Sequence, residues 1–161
     1  MIIRTATDQD WPRIYPFYAA IMAEGKTYAA PPGQTLDEAR PWWMESPPGQ
    51  TVVAELDGQI VGSAKMGPNR PGRGSHVATA SFLVNPAAQG KGIGRALGDY
   101  VVEWCRDQGF SSIQFNAVVE VNAPAVHLWQ SLGFRIIGTV PAAFDHAEAG
   151  LVGLHVMYRE L

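Results

Sequence analysis

The segment of this sequence with the clearest chemical potential is a short run in which glycine alternates with basic and apolar residues. It reads Gln89-Gly90-Lys91-Gly92-Ile93-Gly94-Arg95 and stands between a β-favouring segment and a helical pattern. Closely spaced glycines let several backbone N–H groups point at one spot, and a helix start adds partial positive charge there. We therefore predict an anion site suited to a pyrophosphate, with Lys91 and Arg95 adding charge at its rim.

Three known glycine signatures can be compared with this run. The P-loop string GxxxxGK followed by Ser or Thr does not occur in the sequence. The dinucleotide-binding fingerprint GxGxxG is matched by Gly90 and Gly92, but Arg95 stands at its third glycine. The signature Q/R-x-x-G-x-G/A is matched throughout by Gln89, Gly92 and Gly94. Because a six-residue match is short, the surrounding elements must decide between the last two signatures.

Composition disfavours several classes of protein. The chain has 161 residues and a formal net charge of −3, which argues against a nucleic-acid partner. It contains no apolar run of about 18 residues, so no membrane partner is expected. The single cysteine, Cys105, allows neither an internal disulfide nor a cysteine-based zinc site, and we predict no metal. The composition favours one globular domain, residues 1–161, in the cytoplasm.

The first half of the chain shows the patterns of two helices and an antiparallel hairpin. Apolar residues recur at helical spacing from Trp11 to Met22, and Thr35 with Glu38 forms a capping box that opens a second helix. Asp57-Gly58 between two β-favouring runs is a strong hairpin signal. The predicted strands of this half are Met1 to Arg4, Thr51 to Leu56, Ile60 to Met66 and His76 to Val84.

From Asn85 onward, helices alternate with strands. The glycine run opens a helix whose apolar stripe includes Ile93 and Leu97, and another helix starts at about Asn122. The predicted strands are Ser111 to Val118, Phe134 to Val140 and Leu151 to Glu160, the last two joined by a loop carrying Asp145, His146 and Glu148. The chain is therefore predicted to be α/β with a mixed sheet. A hairpin ahead of the glycine run disfavours the dinucleotide fingerprint and an oxidoreductase.

Two ordered motifs in this setting resemble those of the GCN5-related N-acetyltransferase (GNAT) superfamily. Val84 to Gly94, VNPAAQGKGIG, looks like the acetyl-CoA motif of that family, and Asn122 to Phe134, NAPAVHLWQSLGF, looks like its later helix motif. The resemblance covers nearly the whole chain. It implies a single N-acetyltransferase domain, with a mostly antiparallel mixed sheet, splayed central strands and flanking helices.

The resemblance also implies where an acetyl-CoA cosubstrate binds. In this family acetyl-CoA lies where the fourth and fifth strands separate, which here are the strands ending at Val84 and Val118. The backbone of Phe82, Leu83 and Val84 is then expected to pair with the pantetheine and polarise the thioester carbonyl. The amides from Gln89 to Arg95 would hold the pyrophosphate, and Asn122 would contact the CoA arm.

The family's usual acid and base are both replaced in this sequence. Trp129 stands where relatives often have a tyrosine, and an indole N–H can donate a hydrogen bond but cannot protonate a thiolate. Ala78 or Ala80 stands where relatives often have a glutamate. The polar alternatives nearby are His76, Thr79, Ser81, Asn116 and Glu120. We therefore predict catalysis by proximity and carbonyl polarisation, with water or a weak side-chain base removing the proton.

A small amine or amino acid is the acceptor that these residues favour. Asn116 offers a donor and an acceptor near the expected acetyl group, unless it only bonds locally at a strand end. Thr79 is a further substrate candidate, and Tyr28 with Thr27 would line one pocket wall. The stretch from Gly74 to Phe144 is also similar to yeast N-acetyltransferases acting on proline analogues such as azetidine-2-carboxylate, although those carry an asparagine where Thr79 stands here.

Two further possibilities follow from the same residues. The missing tyrosine and glutamate are also compatible with a non-catalytic CoA-binding or regulatory module. Dimerisation is common among GNAT proteins, so a homodimer is a possible assembly, although no sequence signal points to one.

Overall fold

A seven-stranded sheet with helices on both faces organises the chain. In the computed structural model, which describes residues 1–161, four helices and seven strands are connected by short loops. In chain order they are β1 (Ile2–Thr5), α1 (Trp11–Glu24), α2 (Leu36–Trp43), β2 (Gln50–Leu56), β3 (Gln59–Pro68), β4 (Val77–Val84), α3 (Ile93–Asp107), β5 (Ser112–Val119), α4 (Ala123–Ser131), β6 (Arg135–His146) and β7 (Gly150–Glu160). Single 3₁₀ turns lie at Gly72–Gly74 and Pro86–Ala88.

The strands lie in the order β1-β2-β3-β4-β5-β7-β6, and every neighbouring pair is antiparallel except β4 with β5. That parallel pair is short: it joins Val77 to Ser112 and Ala78 to Ile113 and then ends. Beyond it, β4 stays paired to β3 on its other side, while β5 bulges between Phe115 and Val118 and continues along β7. The predicted mixed, mostly antiparallel sheet with splayed central strands is confirmed.

Local signals in the sequence fix several element boundaries. The Thr35 hydroxyl accepts the Glu38 N–H at 3.2 Å and the Glu38 carboxylate accepts the Thr35 N–H at 2.9 Å, which completes the predicted capping box of α2. Asp57 and Gly58 both take positive φ, as a two-residue hairpin turn requires. Pro16 lies inside α1, which is one helix of 14 residues.

Two apolar clusters hold the helices on opposite faces of the sheet. The larger one packs α3 and α4 against the sheet through residues such as Leu97, Cys105 and Met157. The smaller one packs α1 and α2 against the other face, with Tyr18 and Trp43 at its centre. Because successive side chains on a strand point to opposite faces, β4 contributes to both clusters. The cleft between β4 and β5 therefore lies between two packed layers.

The end of the sheet differs from its sequence-based prediction. Strand β6 extends to His146, so Asp145 and His146 belong to the strand rather than to a loop, and only a short turn precedes β7. The strand is longer because Asp145 pairs with Leu151 and His146 pairs with Gly150, so the β6–β7 pairing continues to the turn. None of the helices combines the length and the apolar character that crossing a bilayer requires.

Candidate acyl-transfer site

The separation of β4 from β5 opens a cavity of about 370 Å³ at the centre of the molecule. Its walls come from both splayed strands, the end of α1 with the loop that follows, the glycine run and α4. Predicted site residues among them are Tyr28, Thr79, Phe82, Val84, Gln89, Gly94, Asn116, Asn122 and Trp129. The fold thus brings most of the predicted residues to one cavity.

The glycine run carries a row of backbone amides with no acceptor in the protein. From Gln89 to Arg95, no N–H donates to any backbone or side-chain group, and the first amide of α3 that does so is that of Ala96, to Gly92 O at 3.0 Å. Gly90 and Gly92 adopt left-handed φ of 80° and 72°, and a side chain added at either would meet no atom within 4 Å. These amides can therefore approach a phosphate group without obstruction.

The side chains of the glycine run contribute less than its backbone. Ile93 is buried under the sheet, whereas Lys91 is exposed and lies outside the cavity wall. Arg95 pairs with Asp99 at 3.1 Å and donates to the Ser131 hydroxyl at 3.4 Å, so its charge is directed along α3 and towards α4. Gln89 and Gly94 are the two members that line the cavity itself.

Strand β4 presents alternate residues to the open side of the sheet. The Val77 carbonyl accepts Asn69 N–H and the Asn85 N–H donates to Val61 O, so the odd-numbered backbone groups bond to β3. The even-numbered groups, at Ala80, Phe82 and Val84, consequently face the cleft. Leu83 was predicted to bind the cofactor, but the alternation turns its backbone to β3 and its side chain is buried in the α1 cluster. It does not line the cavity.

The backbone of Phe82 is occupied by a tyrosine. The Tyr28 hydroxyl donates to the Phe82 carbonyl oxygen at 2.6 Å, and the Phe82 N–H donates to the same hydroxyl at 2.8 Å. Burial raises the pKa of Tyr28 to about 12, although the hydrogen bond to the Phe82 backbone opposes the rise. The group is therefore a neutral phenol at physiological pH. Tyr28 was predicted as a pocket wall, and this bond to β4 was not foreseen.

An aromatic cluster forms the α4 side of the cavity. The ring of Trp129 lies 4.5 Å from that of Phe82 and 5.0 Å from that of Phe115, measured between centroids. Trp129 is buried, and its indole N–H donates to no protein group. Its contacts are those of a packed wall that also faces the cavity.

Asn116 lies in the β5 bulge and bonds to Asn69, the residue that follows β3. Its carbonyl oxygen accepts from the Gln114 amide at 2.9 Å, and its own amide donates to the Asn69 carbonyl oxygen at 2.7 Å. The side chain is exposed, and it is bonded to one side chain on its own strand and to one that lies 47 positions away. Asn69 and Gln114 were missed by the sequence reasoning, because neither stands in a recognisable motif.

The remaining predicted residues fall into two groups. Asn122 lines the cavity, and its side-chain oxygen caps α4 by accepting the Ala125 N–H at 3.3 Å. Thr79 and Ser81 line both the cavity and an adjoining polar groove of about 700 Å³ on the α2 side. His76 and Glu120 do not line the cavity, and the Glu120 carboxylate accepts the Gly153 N–H at 2.6 Å.

A carboxylate stands on the side of the cavity next to α1, and a turn is docked on the neighbouring loop outside the cavity. Glu24, at the end of α1, is the one acidic residue of the cavity wall, and it takes part in no ion pair. The β6–β7 turn is tied to the loop after α1: Ala147 N–H donates to Gly25 O at 3.0 Å, and Lys26 pairs with Glu148 at 2.7 Å.

Comparison with known families identifies this architecture. The model of the acetyltransferase (GNAT) family matches residues 11–134, which include the glycine run, both splayed strands and α4. The chain belongs to the GNAT family. A solved GNAT structure, a GCN5-related N-acetyltransferase from Kribbella flavida, superposes with a TM-score of 0.95 at 55% identity, covering 99% of this chain and 97% of that one.

The descriptions of two further similar proteins name a cofactor or a substrate class. The structure of yncA from Salmonella typhimurium with its cofactor acetyl-CoA has a TM-score of 0.83 at 26% identity, covering 100% of this chain and 94% of that one. The L-amino acid N-acyltransferase MnaT of Escherichia coli is 34% identical over 91 residues, which are 56% of this chain and 52% of MnaT. The chain thus spans about half the length of that relative. The similarity to the yeast proline-analogue type stays a prediction.

The residues of the glycine run and of the cavity wall suit acetyl-CoA, the cofactor named for the yncA structure. The unpartnered amides from Gln89 to Arg95 and the open space at Gly90 and Gly92 suit a diphosphate. The apolar walls at Val84 and Leu128 suit the pantetheine chain. No group of three or more His, Cys, Asp or Glu side chains is arranged as a metal site.

Proposed function

We propose that this protein transfers the acetyl group of acetyl-CoA to the amine of a small molecule, an amino acid or a close analogue. The observation that carries the proposal is the row of unpartnered amides from Gln89 to Arg95, which opens beside the exposed edge of β4. An anion cradle next to a strand edge with free polar groups matches a long molecule that has a diphosphate at one end and amides along its arm.

Binding of the acyl donor would depend mainly on backbone groups and only to a small extent on side chains. A thioester bound there supplies an activated acyl group. The amides of β4 that face the cleft, at Ala80, Phe82 and Val84, are the groups able to donate to its carbonyl oxygen. Asn122 at the start of α4 and the wall formed by Trp129 would confine the arm between β4 and α4.

The acceptor side favours a small cation. Glu24 places an unpaired carboxylate on the cavity wall, where it would attract an ammonium group and accept a proton from it, directly or through water. Thr79, Ser81 and Asn116 add hydroxyl and amide groups where the cavity meets the polar groove. MnaT, an L-amino acid N-acyltransferase by name, supports an amino acid as the acceptor class.

No cavity residue is suited to protonating the leaving thiolate. Trp129 cannot act as an acid near neutral pH, and the raised pKa of Tyr28 makes its phenol a poor proton donor. Catalysis would then rest on proximity, on polarisation of the carbonyl by a β4 amide and on proton removal at the acceptor. A coenzyme A thiolate is a sufficiently stable leaving group for this scheme.

A screen for thiol release tests the proposal directly. Purified protein with acetyl-CoA is offered amino acids, proline analogues and simple amines, and free CoA is measured. We expect turnover with at least one acceptor class and none with acetyl-CoA alone. Stabilisation of the protein by acetyl-CoA without turnover on any acceptor would favour a binding module, and stabilisation by NAD but not CoA would contradict the donor assignment.

A further inference from the structure

Tyr28 contacts the part of β4 that the acyl group is expected to use. It lies in the connection between α1 and α2, residues 25–35, which is 54 positions from Phe82 in the chain. Its ring packs edge-on against Trp43 at 6.3 Å between centroids, which holds it over the sheet. Both backbone polar groups of one residue on the open edge of β4, Phe82, are thereby bonded to a single side-chain oxygen.

This bond is unusual because Tyr28 takes the place of a neighbouring strand. Where β4 and β5 still pair, at Val77 and Ala78, the edge groups of β4 are satisfied by β5. Beyond that point β5 has moved away, and the Tyr28 hydroxyl supplies one acceptor and one donor to Phe82. Ala80 and Val84, the flanking residues on the same edge, have no such side-chain partner.

We propose that Tyr28 is a latch on the acyl-donor site: its hydroxyl holds the Phe82 amide before the donor binds and releases that amide to the thioester carbonyl oxygen. The inference rests on the proposed function. The exchange conserves hydrogen bonds, because the Phe82 N–H changes acceptor while the hydroxyl keeps its own donor bond to the Phe82 carbonyl oxygen. Tyr28 is thus a positioning residue. Its bond to the Phe82 amide competes with the binding of acetyl-CoA but not with the binding of free coenzyme A.

The latch makes a prediction that a purely structural role does not. Coenzyme A lacks the acyl carbonyl, so it has nothing to accept the Phe82 N–H and need not displace the hydroxyl. Removing the hydroxyl therefore favours acetyl-CoA and leaves coenzyme A unaffected. Competition from one neutral hydrogen bond corresponds to an affinity change of about fivefold.

Calorimetric titration of the wild type, Tyr28→Phe and Tyr15→Phe with acetyl-CoA and with coenzyme A tests the latch. The Tyr15 hydroxyl donates to the Gln34 carbonyl oxygen at 2.6 Å and lies outside the cavity, so Y15F is a matched loss of one hydroxyl-to-backbone bond. We expect Y28F to raise the preference for acetyl-CoA over coenzyme A about fivefold, and Y15F to leave it unchanged.

An unchanged or reduced preference in Y28F overturns the latch, as does an equal loss of affinity for both ligands, which would mark Tyr28 as a brace. If Y28F does not fold, the Phe82 amide resonance of the ¹⁵N-labelled wild type carries the test. It should shift on adding acetyl-CoA and stay near its original position with coenzyme A, and identical responses contradict the proposal. Failure of the wild type to bind either ligand would instead refute the proposed function.

Discussion

The two sides of the central cavity are built from different materials. The proposed donor side consists mainly of backbone: the amides from Gln89 to Arg95 and the open edge of β4. The proposed acceptor side consists of side chains from three separate segments, which contribute Glu24, Thr79 and Asn116. Backbone groups recognise what every acyl-CoA shares, whereas side chains recognise what distinguishes one amine from another.

This difference explains why the two sides respond differently to substitution. A backbone donor survives most changes of its own side chain and is lost only when the chain cannot adopt the required conformation or is obstructed. A side-chain group is lost with its residue. Changes on the donor side should therefore matter most at glycine, and changes on the acceptor side should alter selectivity rather than cofactor binding.

The largest effect is expected at Gly92, whose φ of 72° and open surroundings define the cradle. Gly92→Leu should weaken acetyl-CoA binding at least about 100-fold, because two charge-assisted amide bonds are each worth about 1.5 kcal/mol or more. Isothermal titration calorimetry measures the loss. The control is Gly33→Leu, at φ 77° with no neighbour within 4 Å and outside the cavity, which carries similar strain. Wild-type affinity in the Gly92 variant would contradict the cradle.

The stability of the fold can be lowered by a substitution that lies outside both sides of the cavity. Asp10 is buried at the start of α1, bonded to Arg4 at 2.8 and 2.9 Å and to the Thr7 N–H at 2.8 Å. Asp10→Asn should lower the free energy of unfolding at pH 7 by about 2 kcal/mol, since charge-assisted bonds become neutral ones. Urea denaturation measures it, and acetyl-CoA affinity should stay within about twofold of wild type.

The same variant tests a pH dependence. The Arg4 guanidinium holds the pKa of Asp10 well below its usual range. A depressed pKa stabilises the fold above the ordinary aspartate value and loses that contribution as the pH falls. The stability difference between wild type and Asp10→Asn should therefore be full at pH 7 and shrink below about pH 4. A difference that grows on acidification would contradict the assignment.

On the acceptor side, Glu24→Gln should lower kcat/KM for a cationic acceptor about fivefold, since a partly exposed ion pair is worth about 1 kcal/mol. Steady-state kinetics with the acceptor found in the screen measures the change, and acetyl-CoA affinity should be unaffected. Glu148→Gln removes a similar charge nearby, from a residue that pairs with Lys26 outside the cavity. Equal losses in both variants would show a general charge effect and not a role for Glu24.

The smallest effect is expected at Trp129. Because its indole donates to no protein group and contacts Phe82 and Phe115, Trp129→Phe should retain kcat within about threefold of wild type. A loss of a hundredfold or more, with acetyl-CoA affinity intact, would show that the indole N–H has a role in the chemistry. Initial rates at saturating acetyl-CoA, beside a melting temperature for each protein, separate this outcome from unfolding.

Much of the donor side could be predicted because its determinants are local. Spacing of glycines, caps and hairpin turns are properties of neighbouring residues, and they correctly placed the glycine run at the start of α3. Leu83 was predicted together with Phe82 and Val84, but the two-residue period of the strand places its side chain in the α1 cluster, on the opposite face from theirs.

The acceptor side could not be predicted to the same depth. The bond from Asn116 to Asn69 joins residues 47 positions apart, and neither polar side chain differs in type from those that face solvent elsewhere. The hairpin extension to His146 depended on register between β6 and β7, which the local sequence left open. Such contacts arise only when distant segments meet.

By itself, the sequence determined the α/β class, most of the elements and the place of the glycine run at the start of α3, since these follow from short-range periodicity and backbone preference. Only the tertiary structure decided which backbone N–H and C=O groups of β4 lack a partner. The pairing with β5 ends at Ala78, and Tyr28 bonds to Phe82, a residue 54 positions away in the sequence. Hydrogen bonds over such distances are set by how layers pack around the sheet.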